Sequence, residues 1–260
     1  MTELLVAAAI FALIMIMVVG TFSWAAGYNS KLKSVRQIGN SGRKIMSDLS
    51  RDIRLANGKI IIGTIEYGEI VIINCNLYNK DPAGCLIAQN STNPDEAIPI
   101  SSNPGNLDDT NPNALIIVNQ SQKKLILYRD IKFESSTNYD LFRKEVSFTS
   151  DVPKIDPVWS DPFNAVYNGT DLDNLLPNWT ILNDVNSMTA AKTSVKVGFG
   201  GYAPAKFDSV SKTPRKQQPF CEIKLRVQSR DYDPLAVKNN AYLNLQTIVE
   251  TRDYNAVNLK

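Results

Sequence analysis

From residue 4 to residue 20 the chain reads Leu-Leu-Val-Ala-Ala-Ala-Ile-Phe-Ala-Leu-Ile-Met-Ile-Met-Val-Val-Gly, with no polar side chain. Extended through residues 21–26, the run is long enough to cross roughly 30 Å of hydrocarbon as a helix. A cleaved secretory signal is the alternative. Three features oppose it. No basic residue precedes the apolar core. Glu3 abuts that core, where a lone carboxylate is costly. And the helical pattern continues past the apolar run. Tyr28, Leu32, Val35, Ile38, Gly42, Ile45, Leu49, Ile53 and Ala56 recur every three or four residues, which is one stripe of a helix. Lys31, Lys33, Arg36, Arg43, Lys44, Asp48, Arg51 and Asp52 fall largely off that stripe. Asn57-Gly58 is a fitting stop, because glycine tolerates the left-handed backbone at a helix end. The pattern predicts one helix of about 56 residues, roughly 80 Å long, apolar all round in its first half and amphipathic in its second. Gly39 and Gly42 permit a bend or a close helix approach.

Beyond the helix the period changes from 3.6 to 2. Residues 59–65 and 69–74 are β-branched runs split by Glu-Tyr-Gly and read as a hairpin. Residues 114–118 and 124–129 form a second hairpin, turning at 119–123. Residues 145–149 make a short strand. Residues 194–199 alternate Val195, Val197, Phe199, a strand with one buried face. Residues 221–228 and 242–249 alternate throughout and read as an antiparallel C-terminal pair. Asn, Ser, Thr and Pro are dense between residues 89 and 120 and between 150 and 190, which predicts long loops on a sheet scaffold. The expected fold class is α+β, with the amphipathic half of the helix lying on an antiparallel β-sheet. Residues 1–27 form the membrane half of the helix. Residues 28–260 form one globular domain that includes the amphipathic segment 28–56.

Composition removes several chemistries. With no histidine among 260 residues, Ser-His-Asp and Cys-His catalysis, His-based metal sites and the usual near-neutral base are absent. No catalytic residue is assigned, and an enzyme is not expected. A net charge of +2 gives no sign of a nucleic-acid-coating surface, so no nucleic acid is expected as a partner. Cys75 and Cys85 bracket a short turn-rich loop that can close as a disulfide in an oxidising compartment; the alternative is two unrelated buried thiols. Cys221 opens an alternating strand and reads as a small buried residue.

Residues 1–13, Met-Thr-Glu-Leu-Leu-Val-Ala-Ala-Ala-Ile-Phe-Ala-Leu, resemble the start of a type IV pilin or type II secretion pseudopilin. In that superfamily a glutamate near the mature N-terminus is followed by an unbroken apolar helix. The resemblance implies a short basic leader cut by a prepilin peptidase, and a methylated first residue, usually Phe, about two residues ahead of Met1. It implies that Glu3 pairs with a neighbouring subunit's terminal amine. It also implies that Leu4, Leu5, Val6, Ile10, Phe11, Leu13, Ile14, Ile16 and Val18 serve first in the membrane and then in the core of a fibre. As written, Lys31, Lys33 and Arg36 are the nearest cations to the span and would draw the domain to the cytoplasm; a basic leader would reverse that. Residues 125–129, 179–188 and 249–254 are similar in order to the larger minor pilins and minor pseudopilins, whose last strand is followed by an Arg-Asn-like pair, here Arg252-Asp253. The implied partners are other pilin subunits, the peptidase, an inner-membrane assembly platform and the membrane. The implied localisation is single-pass in the inner membrane, then a periplasmic or surface filament. The rivals are an adhesive tip subunit, a membrane-anchored surface protein outside any filament, and a single-pass enzyme or sensor.

Weaker signals complete the sequence. Asp171, Asp173 and Asn174, and the 108–111 stretch, concentrate oxygen ligands of the kind calcium takes, yet Asn and Asp equally cap their own turns. No cofactor is assigned beyond that calcium candidate. Asn90, Asn119, Asn168 and Asn178 begin glycosylation triplets, which arise readily in an Asn-rich chain. Gly198-Phe-Gly-Gly201 reads as a bulge or turn, and residues 212–216 as a solvated basic loop.

Overall fold

The computed structural model describes residues 2–62, 65–75, 85–87, 98, 107, 111–132, 138–155, 179–182, 193–202, 205–206, 219–229 and 242–251. One helix, α1 (Thr2–Arg54), opens the chain. Among the described residues thirteen strands follow: β1 (Ile60–Ile62), β2 (Ile65–Tyr67), β3 (Ile70–Cys75), β4 (Cys85–Ile87), β5 (Ala114–Asn119), β6 (Lys124–Lys132), β7 (Tyr139–Ser147), β8 (Lys154–Ile155), β9 (Trp179–Ile181), β10 (Thr193–Tyr202), β11 (Ala205–Lys206), β12 (Phe220–Ser229) and β13 (Tyr242–Glu250). The architecture is α+β: one long helix that is apolar in its first half, followed by sheets that are almost wholly antiparallel.

Helix α1 ends slightly before its expected limit. Leu55 N–H and Ala56 N–H still donate to the carbonyls of Arg51 and Ile53, which closes the last turn. Asn57 is then drawn out of the helix, because its N–H donates to the Val118 carbonyl at 2.8 Å and it bridges Asn119. Gly58 follows with φ +100°, the left-handed conformation its missing Cβ permits.

Among the described residues three sheets are present where one was expected. The central sheet has order β4-β3-β5-β6-β7-β9 and is antiparallel throughout. A second sheet, β10-β12-β13, is also antiparallel. A small third sheet, β11-β2-β1-β8, contains one parallel pair, β1 with β8. The hairpin expected over residues 59–74 is divided. β1 turns back on β2, with Ile60 opposite Tyr67, while β3 leaves to pair with β5. The reason is burial. Ile70, Val71, Ile72 and Ile73 are apolar on both faces, which suits a strand inside a layered sheet. The β5–β6 hairpin and the β12–β13 pair form as their alternation predicts. β7 starts at Tyr139, well before the expected residue 145, and lies opposite β6 along nine residues.

The central sheet separates two cores. On one face Ile70, Ile72, Leu115, Ile117, Ile126 and Tyr128 meet Ile45, Leu49 and Ile53 of α1 and Val195, Phe199, Ile223 and Leu225 of the second sheet. On the other, Val71, Ile73, Ile116, Val118 and Leu127 pack with Ile60, Ile62 and Tyr67 of the third sheet. β10 is buried along its whole length, not on one face as its alternation suggested. Its second face carries Ser194, whose Oγ accepts the Tyr139 N–H at 2.8 Å, and Lys196, whose Nζ donates to the Tyr139 hydroxyl at 3.2 Å. The Gly198–Gly201 stretch lies inside this strand in register with β12, not in a bulge. Only Gly201 is unusual, at φ +118°.

Two polar contacts lock the sheets together. Asp130 of β6 is fully buried, and its Oδ2 accepts the Val197 N–H of β10 at 3.1 Å. Thr251, just past β13, donates through Oγ1 to Oε1 of buried Glu69 at 3.0 Å, joining positions 182 apart in sequence.

Candidate membrane and assembly site

The first half of α1 is exposed along its length. Leu4 is 79% exposed, and Leu5, Val6, Ile10, Phe11, Leu13, Ile14, Ile16 and Val18 are all exposed. None of the most apolar 18-residue window is buried, and the helix is long and apolar enough to cross a membrane. So large an exposed apolar surface is far beyond what a soluble monomer tolerates. Glu3 sits in the first turn, where its charge complements the positive end of the helix dipole. At the far end Trp24 and Tyr28 stack at 5.7 Å between centroids, aromatic types that favour a membrane–water boundary.

The second half of α1 is held by the sheets. The core-facing stripe is buried at Ile38, Gly42, Ile45, Leu49, Ile53 and Ala56. It is not buried at Tyr28 or Val35, so the packed segment begins about ten residues later than the amphipathic pattern suggested. Gly42 is a point of close approach. A Cβ there would lie 3.1 Å from Leu245 and 3.3 Å from Val227, on the second sheet. Gly39 faces open space.

A further tie is polar, and sequence reasoning missed it. Asp52 was expected off the core stripe, yet it is buried at 3% exposure. Its Oδ2 accepts from the Tyr128 hydroxyl at 2.6 Å and from Arg143 Nη2 and Nε at 2.8 and 3.0 Å. Tyr128 and Arg143 are direct cross-strand partners on β6 and β7, and the guanidinium lies over the Tyr128 ring. Arg143 also reaches Glu145 at 2.7 Å, which in turn meets Lys124 at 3.0 Å, so the network runs out to solvent. Burial, followed by the Asp52 charge, pushes the Tyr128 hydroxyl well above its ordinary range, so it stays a donor. The Lys124 ammonium first, and Arg143 after it, hold the Glu145 carboxyl below its usual range. A signal was available. Asp52 lies seven residues after Ile45, within about 20° of it on the helix circumference. The inner end of this arrangement, at Asp52 and Tyr128, is buried, so it acts as a staple between helix and sheet.

The cysteines divide as their positions allow. Cys75 is disulfide-bonded and lies opposite Cys85 in the β3–β4 register, while Cys221 is free and buried. Burial pushes the Cys221 thiol far up, which keeps it unreactive. Asn119 is no glycan acceptor. It is 3% exposed and its side-chain oxygen accepts the Gln122 N–H at 3.0 Å in the β5–β6 turn. Asn90, Asn168 and Asn178, the calcium candidates Asp171, Asp173 and Asn174, residues 212–216 and Arg252-Asp253 lie outside the described residues. Among the described residues no three His, Cys, Asp or Glu side chains are grouped to hold a metal.

Fold and site thus define a class: an α+β protein whose N-terminal helix is half exposed and apolar, half stapled to a layered sheet. No family model, curated protein or solved structure matches the chain.

Proposed function

We infer that this chain is a pilin-like structural subunit, anchored by residues 1–27 in a membrane before assembly and packed through the same segment in a filament afterwards. One observation carries the reading. The exposed apolar half of α1 and the half stapled to the sheet are a single unbroken helix of 53 residues. An anchor alone needs no such rigid continuity, because a flexible linker would tether the domain as well. A fibre does need it, since the position of each apolar half must set the position of each body. Stacking one surface on a different one leaves the assembly open, giving a fibre and not a ring. Glu3, a single carboxylate at the start of the apolar half, fits a register device. A buried carboxylate demands a cation and penalises misplacement. The partners on this reading are other subunits of the filament, a prepilin peptidase and an inner-membrane assembly platform, with the domain on the outer side of the membrane. Shearing filaments from cells and quantifying this chain in the sheared and membrane fractions tests the reading. Recovery in filaments supports it. Recovery only as a membrane-bound monomer overturns it in favour of an anchored surface protein.

A further inference from the structure

Between residues 4 and 47 the chain has no Asp or Glu, and its first Lys and Arg side chains are Lys31, Lys33 and Arg36. All three stand exposed on α1. They lie between two boundaries of the structure. On one side are Phe22, Trp24 and Tyr28, the exposed aromatic residues that close the apolar half. On the other is Ile38, which among the described residues is the first of α1 to enter the core. At 1.5 Å per residue, Lys31 is about 5 Å beyond Tyr28 along the axis, Lys33 about 8 Å and Arg36 about 12 Å. Ile38 is about 15 Å beyond it.

The three cations encircle the helix and do not form a stripe. Steps of about 140°, 60° and 160° separate them around the circumference. The Cα–Cβ bonds of a helix tilt toward its N-terminus, which here is the direction of the apolar half. Long Lys and Arg side chains can then carry their charge several ångströms further back toward Tyr28 while their stems stay on the helix. With residues 4–26 in hydrocarbon, these charges fall at the level of the headgroups, a layer that adds about 5–8 Å on each side of a core of about 30 Å. Arg43, Lys44, Arg51 and Arg54 are also exposed, but they lie about 22 Å or more beyond Tyr28, outside that layer.

We propose that Lys31, Lys33 and Arg36 form a collar that binds the headgroups of acidic phospholipids on the body's side of the membrane. Continuity and charge identify the ligand. The collar directly prolongs the segment that crosses the hydrocarbon, so the surface around it is lipid. Within α1 the nearest carboxylates are Glu3, about 42 Å back from Lys31, and Asp48, about 18 Å on from Arg36. The collar also fixes the depth of the anchor. Sinking would draw cations into hydrocarbon, and rising would bring Phe22 and Trp24 into water. The inference rests on the membrane half of the proposed function and is independent of the filament half.

The test uses the full chain in vesicles of roughly four parts phosphatidylcholine to one part phosphatidylglycerol. The protein is extracted in mild detergent, and the two lipids that stay bound to it are quantified. At about 0.1 M salt the parent chain should hold phosphatidylglycerol at least about threefold above its share of the vesicle. Raising salt to about 1 M shortens the screening length from about 10 Å to about 3 Å and should bring the bound lipid close to the bulk ratio. The variant Lys31→Gln, Lys33→Gln, Arg36→Gln should lose the enrichment with its circular dichroism unaltered. The variant Arg43→Gln, Lys44→Gln, Arg54→Gln removes the same charge from beyond the headgroup layer and should keep the enrichment. Bound lipid at the bulk ratio in the parent, enrichment that survives the collar variant, or equal loss in both variants would each overturn the proposal. If the chain floats with the vesicles but shows no lipid preference, only the collar falls. If it does not float with them at all, the membrane reading falls too.

Discussion

The Tyr128 hydroxyl donates to Asp52 Oδ2 at 2.6 Å, linking the helix to the central sheet across 76 positions of sequence. Arg143 completes the arrangement, so the one buried carboxylate of the packed helix half has three donors on a single oxygen. Removing Asp52 would leave Arg143 paired with Glu145 alone and the buried Tyr128 hydroxyl without its acceptor. Asp52→Ala should therefore cost about 3 kcal/mol of folding stability. Tyr128→Phe, which removes one donor and leaves the ion pair, should cost about 1–2 kcal/mol. Chemical denaturation of both variants checks the order. Equal costs would mean that the charge pair is not the main tie.

A fragment beginning at Tyr28 should be soluble, monomeric and folded. The buried part of the helix stripe starts at Ile38, and among the described residues none before it belongs to the core. Circular dichroism and thermal melting are the measurements. Loss of the cooperative transition on deleting residues 1–27 would show that the apolar half stabilises the body.

Asp130 gives the fold a pH dependence of unusual sign. Burial pushes its carboxyl up to about 7, against the opposing pull of the Val197 N–H and the Lys196 charge. Unfolded, it titrates near 3.8. Below that, both states are protonated. Between about 4 and 7 the unfolded chain has released the proton and the folded chain retains it, so stability falls as pH rises through this window. The fall is complete above about 7 and has a ceiling of about 4 kcal/mol. Asp130→Asn should flatten this part of the profile. Urea titrations at pH 5 and pH 8 provide the comparison, and parallel changes in parent and variant would refute the assignment.

Glu3→Ala should leave the body folded and inserted but lower the amount of this chain in sheared filaments relative to the membrane pool. A neighbour's terminal ammonium left without its carboxylate in an apolar fibre core costs several kcal/mol per subunit. An unchanged ratio, with normal filament number, would mean that Glu3 simply sits among headgroups and would weaken the filament reading.

Local periodicity carried the outline. The 3.6-residue stripe marked α1, and strict alternation marked β12 and β13 and the β5–β6 hairpin. These are patterns that neighbouring residues determine, because the side-chain repeat of each element is set within a few positions. The apolar half of the helix and its bordering carboxylate were legible for the same reason. The tertiary structure decided what depends on distant segments. It split the expected 59–74 hairpin, sending β1 to β2 and β8 and sending β3 to β5, since a strand that is apolar on both faces takes whichever layers cover it. It covered the second face of β10 with Tyr139 of β7. It also turned Asp52 from an expected surface charge into the buried staple. A carboxylate on the margin of a helix stripe can face water or core, and only the arrival of Tyr128 and Arg143 from two other strands, with the donors that burial requires, selects the core.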